Sequence, residues 1–121
     1  MTTAASRRAL GTYGERIAAR HLVDAGMTLL DRNWRCSEGE IDLVLRDGDV
    51  LVACEVKTRS GDSCGSPHEA VDDDKLARLH ELVWRWAEEH EVRPGEVRVD
   101  LVAIIRPRRG PSLVDHVRGL A

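Results

Sequence analysis

Residues 40–59 read EIDLVLRDGDVLVACEVKTR, two runs of β-forming residues on either side of Asp47-Gly48, and this stretch limits the fold most tightly. Aspartate followed by glycine between alternating apolar residues is a strong hairpin signal. With Asp47-Gly48 as a two-residue turn, Arg46 faces Asp49, Asp42 lies opposite Ala53, and Glu40 lies opposite Glu55. Side chains alternate between the faces of a strand. Ile41, Leu43, Leu45, Val52, Cys54 and Val56 therefore share a wholly apolar face that must be core. Glu40, Asp42, Glu55 and Lys57 collect on the other face, with Val44, Leu51 and Ala53. In this register Asp42 and Glu55 are diagonal neighbours, with Cβ atoms roughly 5–8 Å apart.

Carboxylates gathered this way need compensation. Like charges opposed across a strand pair destabilise it, and neighbouring carboxylates raise one another's pKa. A divalent cation resolves the conflict, because Mg²⁺ takes one or two carboxylates together with water and phosphate oxygens. Lys57, on the same face as Glu55, is placed to steady an attacking water or a developing negative charge. The competing reading makes these residues the solvent face of a one-sided sheet, with Lys57 pairing with Glu55. Glu15 borders the apolar stripe of the first helix, three residues before Ala18 and seven before Leu22. It is either a helix acid that joins the carboxylates or an exposed first-turn glutamate favoured by the helix dipole.

The rest of the chain supplies the frame. Residues 12–27, TYGERIAARHLVDAGM, space apolar positions as a helix does and close at Gly26. TLLDRNWRC reads as a short strand, and SGDSCGSP as a flexible loop. DDDKLARLHELVWRWAEEH is the strongest helix, with Leu76, Leu79, Val83 and Trp86 in one stripe. EVRVDLVAIIR is a strand, and SLVDHVRGL a last edge strand or turn. Helices and strands in this order give an α/β protein with a single mixed β-sheet flanked by helices. The 121 residues form one domain, with residues 1–10 a flexible N-terminus.

Composition narrows the function. The net charge of −3 gives no global attraction for nucleic acid, although arginines cluster near strand ends and in PRRG. Of the 18 basic residues only Lys57 and Lys75 are lysine, which suggests tasks that arginine performs poorly. Three unpaired-looking cysteines point to a reducing compartment. With no apolar run long enough for a signal peptide or a membrane span, the expectation is a cytoplasmic protein.

GEIDLV followed by EVK resembles the PD-(D/E)XK motif of restriction-endonuclease-like and Holliday-junction-resolvase-like nucleases. GERIAARHL, RNWRCSEGEIDLV, EVKTR, AVDDDKLARL and RVDLVAI, in that order, resemble the small bacterial YraN family over nearly the whole chain. The resemblance implies an αβββαβ restriction-endonuclease-like core. It implies Asp42 and Glu55 as ligands of Mg²⁺ or Mn²⁺, Glu15 as the supporting helix acid and metal ligand, and Lys57 as the catalytic lysine. Ala70, Val71 and Lys75 fall where the family's helix follows the active-site loop. The C-terminal DHVRGLA has His116 but lacks the aromatic tail of relatives.

The expected activity is that of a metal-dependent endonuclease on DNA or RNA, with Arg35, Arg59 and Lys75 contacting phosphates. The alternative is a catalytically weak or inactive nucleic-acid-binding or protein-interaction module that keeps the fold, and a homodimer is left open. Cysteines and histidines show no zinc-ligand spacing. Cys54 reads as a small buried hydrophobe and Cys64 as an inert thiol. Trp84 and Trp86 cannot both face inward, so Trp84 is expected to be partly exposed. Trp34, flanked by Arg32, Asn33 and Arg35, either caps the sheet edge or offers a surface for base stacking.

Overall fold

The computed structural model describes residues 3–60 and 71–120, apart from the side chain of Arg7. Seven elements follow one another: α1 (Ala4–Asp24), β1 (Thr28–Cys36), β2 (Gly39–Asp47), β3 (Val50–Ser60), α2 (Asp73–Glu89), β4 (Glu96–Arg106) and β5 (Leu113–Val117). The strands form one sheet in the order β1-β2-β3-β4-β5. β3 and β4 pair in parallel from Val50↔Glu96 to Ser60↔Arg106, and the other neighbours are antiparallel. A parallel pair needs a crossover connection, and α2 lies within it. This is a restriction-endonuclease-like αβββαβ core followed by one further strand. Apart from Ser60, the SGDSCGSP loop, with Cys64, lies outside the described residues, as does Ala70.

Helix α1 begins at Ala4, well before the apolar pattern does, because Thr3 caps it by accepting a hydrogen bond from the Ser6 amide at 3.0 Å. The helix therefore runs through most of the stretch read as an N-terminal tail. Helix α2 starts where the acidic run starts, and the chemistry is visible. The Asp72 carboxylate accepts from the Lys75 amide at 2.8 Å, and Asp73 and Asp74 sit in the first turn, where negative charge favours the helix dipole.

The two helices cover opposite faces of the sheet, which is buried on both sides. Ala18, Ala19 and Leu22 of α1, with Met27, pack on Leu43, Leu45, Val52, Cys54, Val102 and Ile104. Leu79, Leu82, Val83, Trp86 and Ala87 of α2 pack on Val44, Leu51, Ala53 and Val99, joined by Trp34 and Ile41. Trp34 is thus a core residue, and the base-stacking reading is excluded. Trp84 is 49% exposed, as the helix period requires.

Register corrects the sequence reading in two places. Asp47 pairs with Val50, so Gly48-Asp49 form the turn, one residue later than expected. Gly48 has φ 62, and a glycine in that region at the first central position suits a type II′ turn. The partner of each β2 residue moves by two, an even number, so most residues keep their face. Ile41 is the exception. Asn33, with φ 49, falls opposite Asp42 between the pairs Arg32↔Leu43 and Trp34↔Ile41. The pleat breaks at that point, and Ile41 packs with the α2 cluster rather than with Leu43.

Helix α1 crosses β3 at Gly14, and a Cβ there would lie 1.7 Å from Thr58 Oγ1. Only glycine allows this approach. Gly14→Ala is expected to destabilise the protein by about 1–3 kcal/mol, the usual cost of overpacking, read as the midpoint of denaturant unfolding. Adding Thr58→Ala should recover part of the loss. An unchanged midpoint in the single variant would show that α1 does not sit this close.

Candidate metal centre

The ends of β2 and β3 nearest α2 carry the charges. On the α2 side of the sheet Val44, Leu51 and Ala53 are covered by the helix. Past the reach of that apolar packing, the same face continues as Asp42 and Glu55. They line a cavity of about 270 Å³ with Gly39, Glu40, Lys75, Arg78, Leu79 and Leu82. The charges do not stand on an open sheet face, so the one-sided-sheet reading fails: they occupy a recess between two strands and a helix.

Continuing the observed β2–β3 register from Leu43↔Cys54 sets Asp42 across from Glu55, more direct than the expected diagonal. Glu40 does not face Glu55. It sits across β1–β2 from Arg35 and pairs with it, Arg35 Nε lying 3.1 Å from Glu40 Oε2 in an exposed setting. Glu55 is 7% exposed, and its Oε1 accepts from Lys75 Nζ at 2.8 Å. Asp42 Oδ2 accepts from the Val56 amide at 2.8 Å. Among the described residues one carboxylate thus has an ammonium for a partner, and the other has only a neutral amide.

The imbalance appears in the acidity of Asp42. Burial, then the charge of Glu55, push its pKa up to about 7 against the Val56 hydrogen bond, and Glu15 and Glu40 add to the rise. Excess negative charge in this recess is therefore relieved by a proton at neutral pH, or by a cation. Cys54, beneath the site, is fully buried; its thiol is pushed well up by desolvation and then by the charge of Asp100, and it is inert.

Glu15, on α1, is half-buried and lies near enough to repel Asp42. Among the described residues, however, no three His, Cys, Asp or Glu side chains converge closely enough to hold a metal ion. The donor set that does converge is the pair Asp42 and Glu55. Two hard oxygen donors, with water and substrate oxygens completing the shell, suit Mg²⁺ or Mn²⁺. Lys57 is half-buried on β3, and among the described residues it makes no ion pair. The expected Lys57–Glu55 pairing is replaced by Lys75–Glu55. Arg59 is exposed farther along β3, and Arg35 is exposed on β1.

Arg78 was not singled out by the sequence. It lies one helical turn after Lys75, which puts both on one face of α2, and that spacing was the available signal. Its stem covers Gly39, where a Cβ would come within 3.5 Å of Arg78 Cδ. The recess consequently has carboxylates on its floor, supplied by the strands, and cationic side chains along the α2 wall.

Fold and site together define a nuclease-like α/β domain with an acidic pair at one end of a mixed sheet. The sequence model of a family described as "Uncharacterised protein family UPF0102" matches residues 14–104. The chain belongs to this family, which is the YraN family resembled above. A UPF0102 protein of Nocardioides sp. is 65% identical over 117 residues, covering 97% of this chain and 94% of the relative. Another, from Kineococcus radiotolerans, is 56% identical and covers 96% of each chain. Among solved structures, Pyrococcus furiosus SfsA in complex with Ca²⁺ gives a TM-score of 0.38 at 12% identity. The match covers 95% of this chain and 65% of that one, a likeness too loose to carry an argument. No helix among the described residues is long and apolar enough to cross a membrane.

Proposed function

We propose that the protein is a metal-dependent nuclease acting on phosphodiester bonds of DNA or RNA. The observation that carries the reading is the recessed pair Asp42 and Glu55, with the Asp42 charge left without a cationic partner among the described residues. Asp42 and Glu55 would hold Mg²⁺ or Mn²⁺, and Glu15 would act on it from α1 through its charge. The bound ion would supply Lewis-acid polarisation of a phosphoryl oxygen and lower the pKa of a coordinated water. The chain's own groups do the rest. Glu55 and Asp42 repel the phosphodiester unless their charge is neutralised, so substrate enters only with its counter-ion. Lys57, on the Glu55 strand and without an ion-pair partner among the described residues, supplies an ammonium for the attacking water or the charge developing on phosphorus. Arg35, Arg59, Lys75 and Arg78 supply phosphate contacts, which weaken as salt rises.

A second reading has its own support. Glu55 is already paired with Lys75 at 2.8 Å, and a protein needs no catalysis to keep such a pair. In that case the domain binds nucleic acid or a protein without turnover. Incubation with single-stranded, duplex and branched DNA and with RNA, in Mg²⁺, Mn²⁺ or chelator, separates the two. Cleavage is expected with either metal and is expected to fall by about a hundredfold or more in Asp42→Ala, as for loss of a metal ligand. Binding without cleavage of every substrate would sink the nuclease and leave the module.

A further inference from the structure

Lys75 holds the place on Glu55 that a divalent cation would need. Its Nζ sits 2.8 Å from Oε1 of a carboxylate that is 7% exposed, in the recess that also contains Asp42. The contact is built in. Asp72 caps α2 through the Lys75 amide, which fixes the root of the side chain at the third residue of α2, facing the strand ends. The Lys75 side chain itself remains one-third exposed, so its long stem can swing out of the recess without unpacking the core.

Resting on the nuclease reading, we propose that Lys75 is a resident counter-ion that competes with the divalent cation for Glu55 and is released toward the substrate phosphate when the cation binds. Three points support the exchange. Glu55 has two oxygens in a tight recess, and an ammonium and a dication on one carboxylate repel each other. Among the described residues the α2 wall carries Arg78 one helical turn beyond Lys75, so an ammonium released along it meets an incoming phosphate as its natural partner. Finally, the net charge of the recess is better balanced after exchange. Two carboxylates with one ammonium leave excess negative charge; two carboxylates with one dication do not. Lys75 is therefore a positioning residue that keeps Glu55 ordered when no metal is bound and couples metal entry to phosphate binding.

The exchange is tested by Mn²⁺ titration at pH 8, using calorimetry or the loss of free-Mn²⁺ spin signal. The wild type and Lys75→Met are compared, with Lys75→Gln in reserve should the first variant not fold. A unit positive charge beside a carboxylate alters its proton affinity by roughly 1–3 pK units, and a dication responds at least as strongly. Mn²⁺ should therefore bind the lysine-free variant about tenfold tighter or more. Inorganic phosphate should tighten Mn²⁺ binding in the wild type and do so less in the variant. Equal or weaker Mn²⁺ binding by the variant, with the wild type binding, overturns the exchange and leaves the nuclease reading standing. Binding by the variant alone supports the exchange in its strongest form. Failure of both proteins to bind removes the metal site and the exchange with it.

Discussion

Asp42→Asn should melt higher than the wild type at pH 8 in chelator and, on the proposed metal-site reading, should gain no stability from Mn²⁺ where the wild type does. The asparagine keeps an oxygen for the Val56 amide, so the local backbone contact survives. What disappears is a charge that the fold tolerates poorly. The wild-type carboxyl is raised from 3.8 to about 7. Such a group favours the folded state fully below pH 3.8; that contribution is lost as pH rises to about 7 and stays lost above it. At ~1.36 kcal/mol per pK unit the interval corresponds to about 4 kcal/mol. Residual solvent contact screens it, and a gain of about 1–2 kcal/mol, or roughly 4–8 °C, is expected. The advantage should vanish near pH 4. A variant that melts at or below the wild type at pH 8 would mean that Asp42 is not under electrostatic strain. A site that stabilises the protein when its charge is removed, and is silent to metal afterwards, is a functional site rather than a structural one.

The opposite result is expected at Asp100. This carboxylate is fully buried on β4, yet all its needs are met. Oδ1 accepts from Arg98 Nε at 2.8 Å and from the Gly119 amide at 2.9 Å, while Oδ2 accepts from Arg98 Nη2 at 3.1 Å and is bonded to His116 Nε2 at 2.9 Å. Burial alone would raise its pKa, but the hydrogen bonds from Arg98, Gly119 and His116 outweigh burial and hold it below the usual range. Asp100→Ala strands those donors and should cost about 3–5 kcal/mol, the cost of breaking a buried pair. Set against a total stability of about 5–15 kcal/mol, that is a fifth of the total or more. Because the folded pKa is depressed, the wild-type contribution is present above the ordinary carboxylate pKa and fades as pH falls below it. The two proteins should therefore converge in acid. A loss under about 1 kcal/mol at pH 7 would show that the network is no stronger than a surface pair.

The two residues differ in how legible they were. Asp42 and Glu55 declared themselves because they interrupt an alternating pattern, and alternation survives an even-numbered error in register. The turn was misplaced by one residue, since Asp-Gly and Gly-Asp both make tight turns and only backbone torsion decides between them. Strand β1 and helix α2 were readable from period and capping residues. Asp100 was passed over, because within EVRVDLVAII it looks like one more alternating polar residue. Its partners come from its own strand and from residues 116–119, and no local pattern links them. The same limit applies to Lys75 and Glu55, which meet across the crossover. It applies also to Ile41, whose side of the sheet depends on the backbone of Asn33 in a neighbouring strand.

His116, which the resemblance left without a role once the aromatic tail was missing, is explained by the same network. Behind it, Leu120 donates its amide to Val99 at 2.8 Å, and Arg98 reaches Asp47 at 3.0 Å, in the turn that joins β2 to β3. The final residues therefore fasten the β4–β5 edge of the sheet and, through Arg98, the turn that joins β2 to β3. The acidic recess, by contrast, is built from β2, β3 and α2. On the nuclease reading, residues lining the recess can exchange one charge for another without disturbing this network, and the network can be damaged with every recess residue still present. On the nuclease reading, loss of cleavage in a variant of residues 116–120 would accordingly be a folding defect, distinguishable because osmolytes that favour the compact state would restore it.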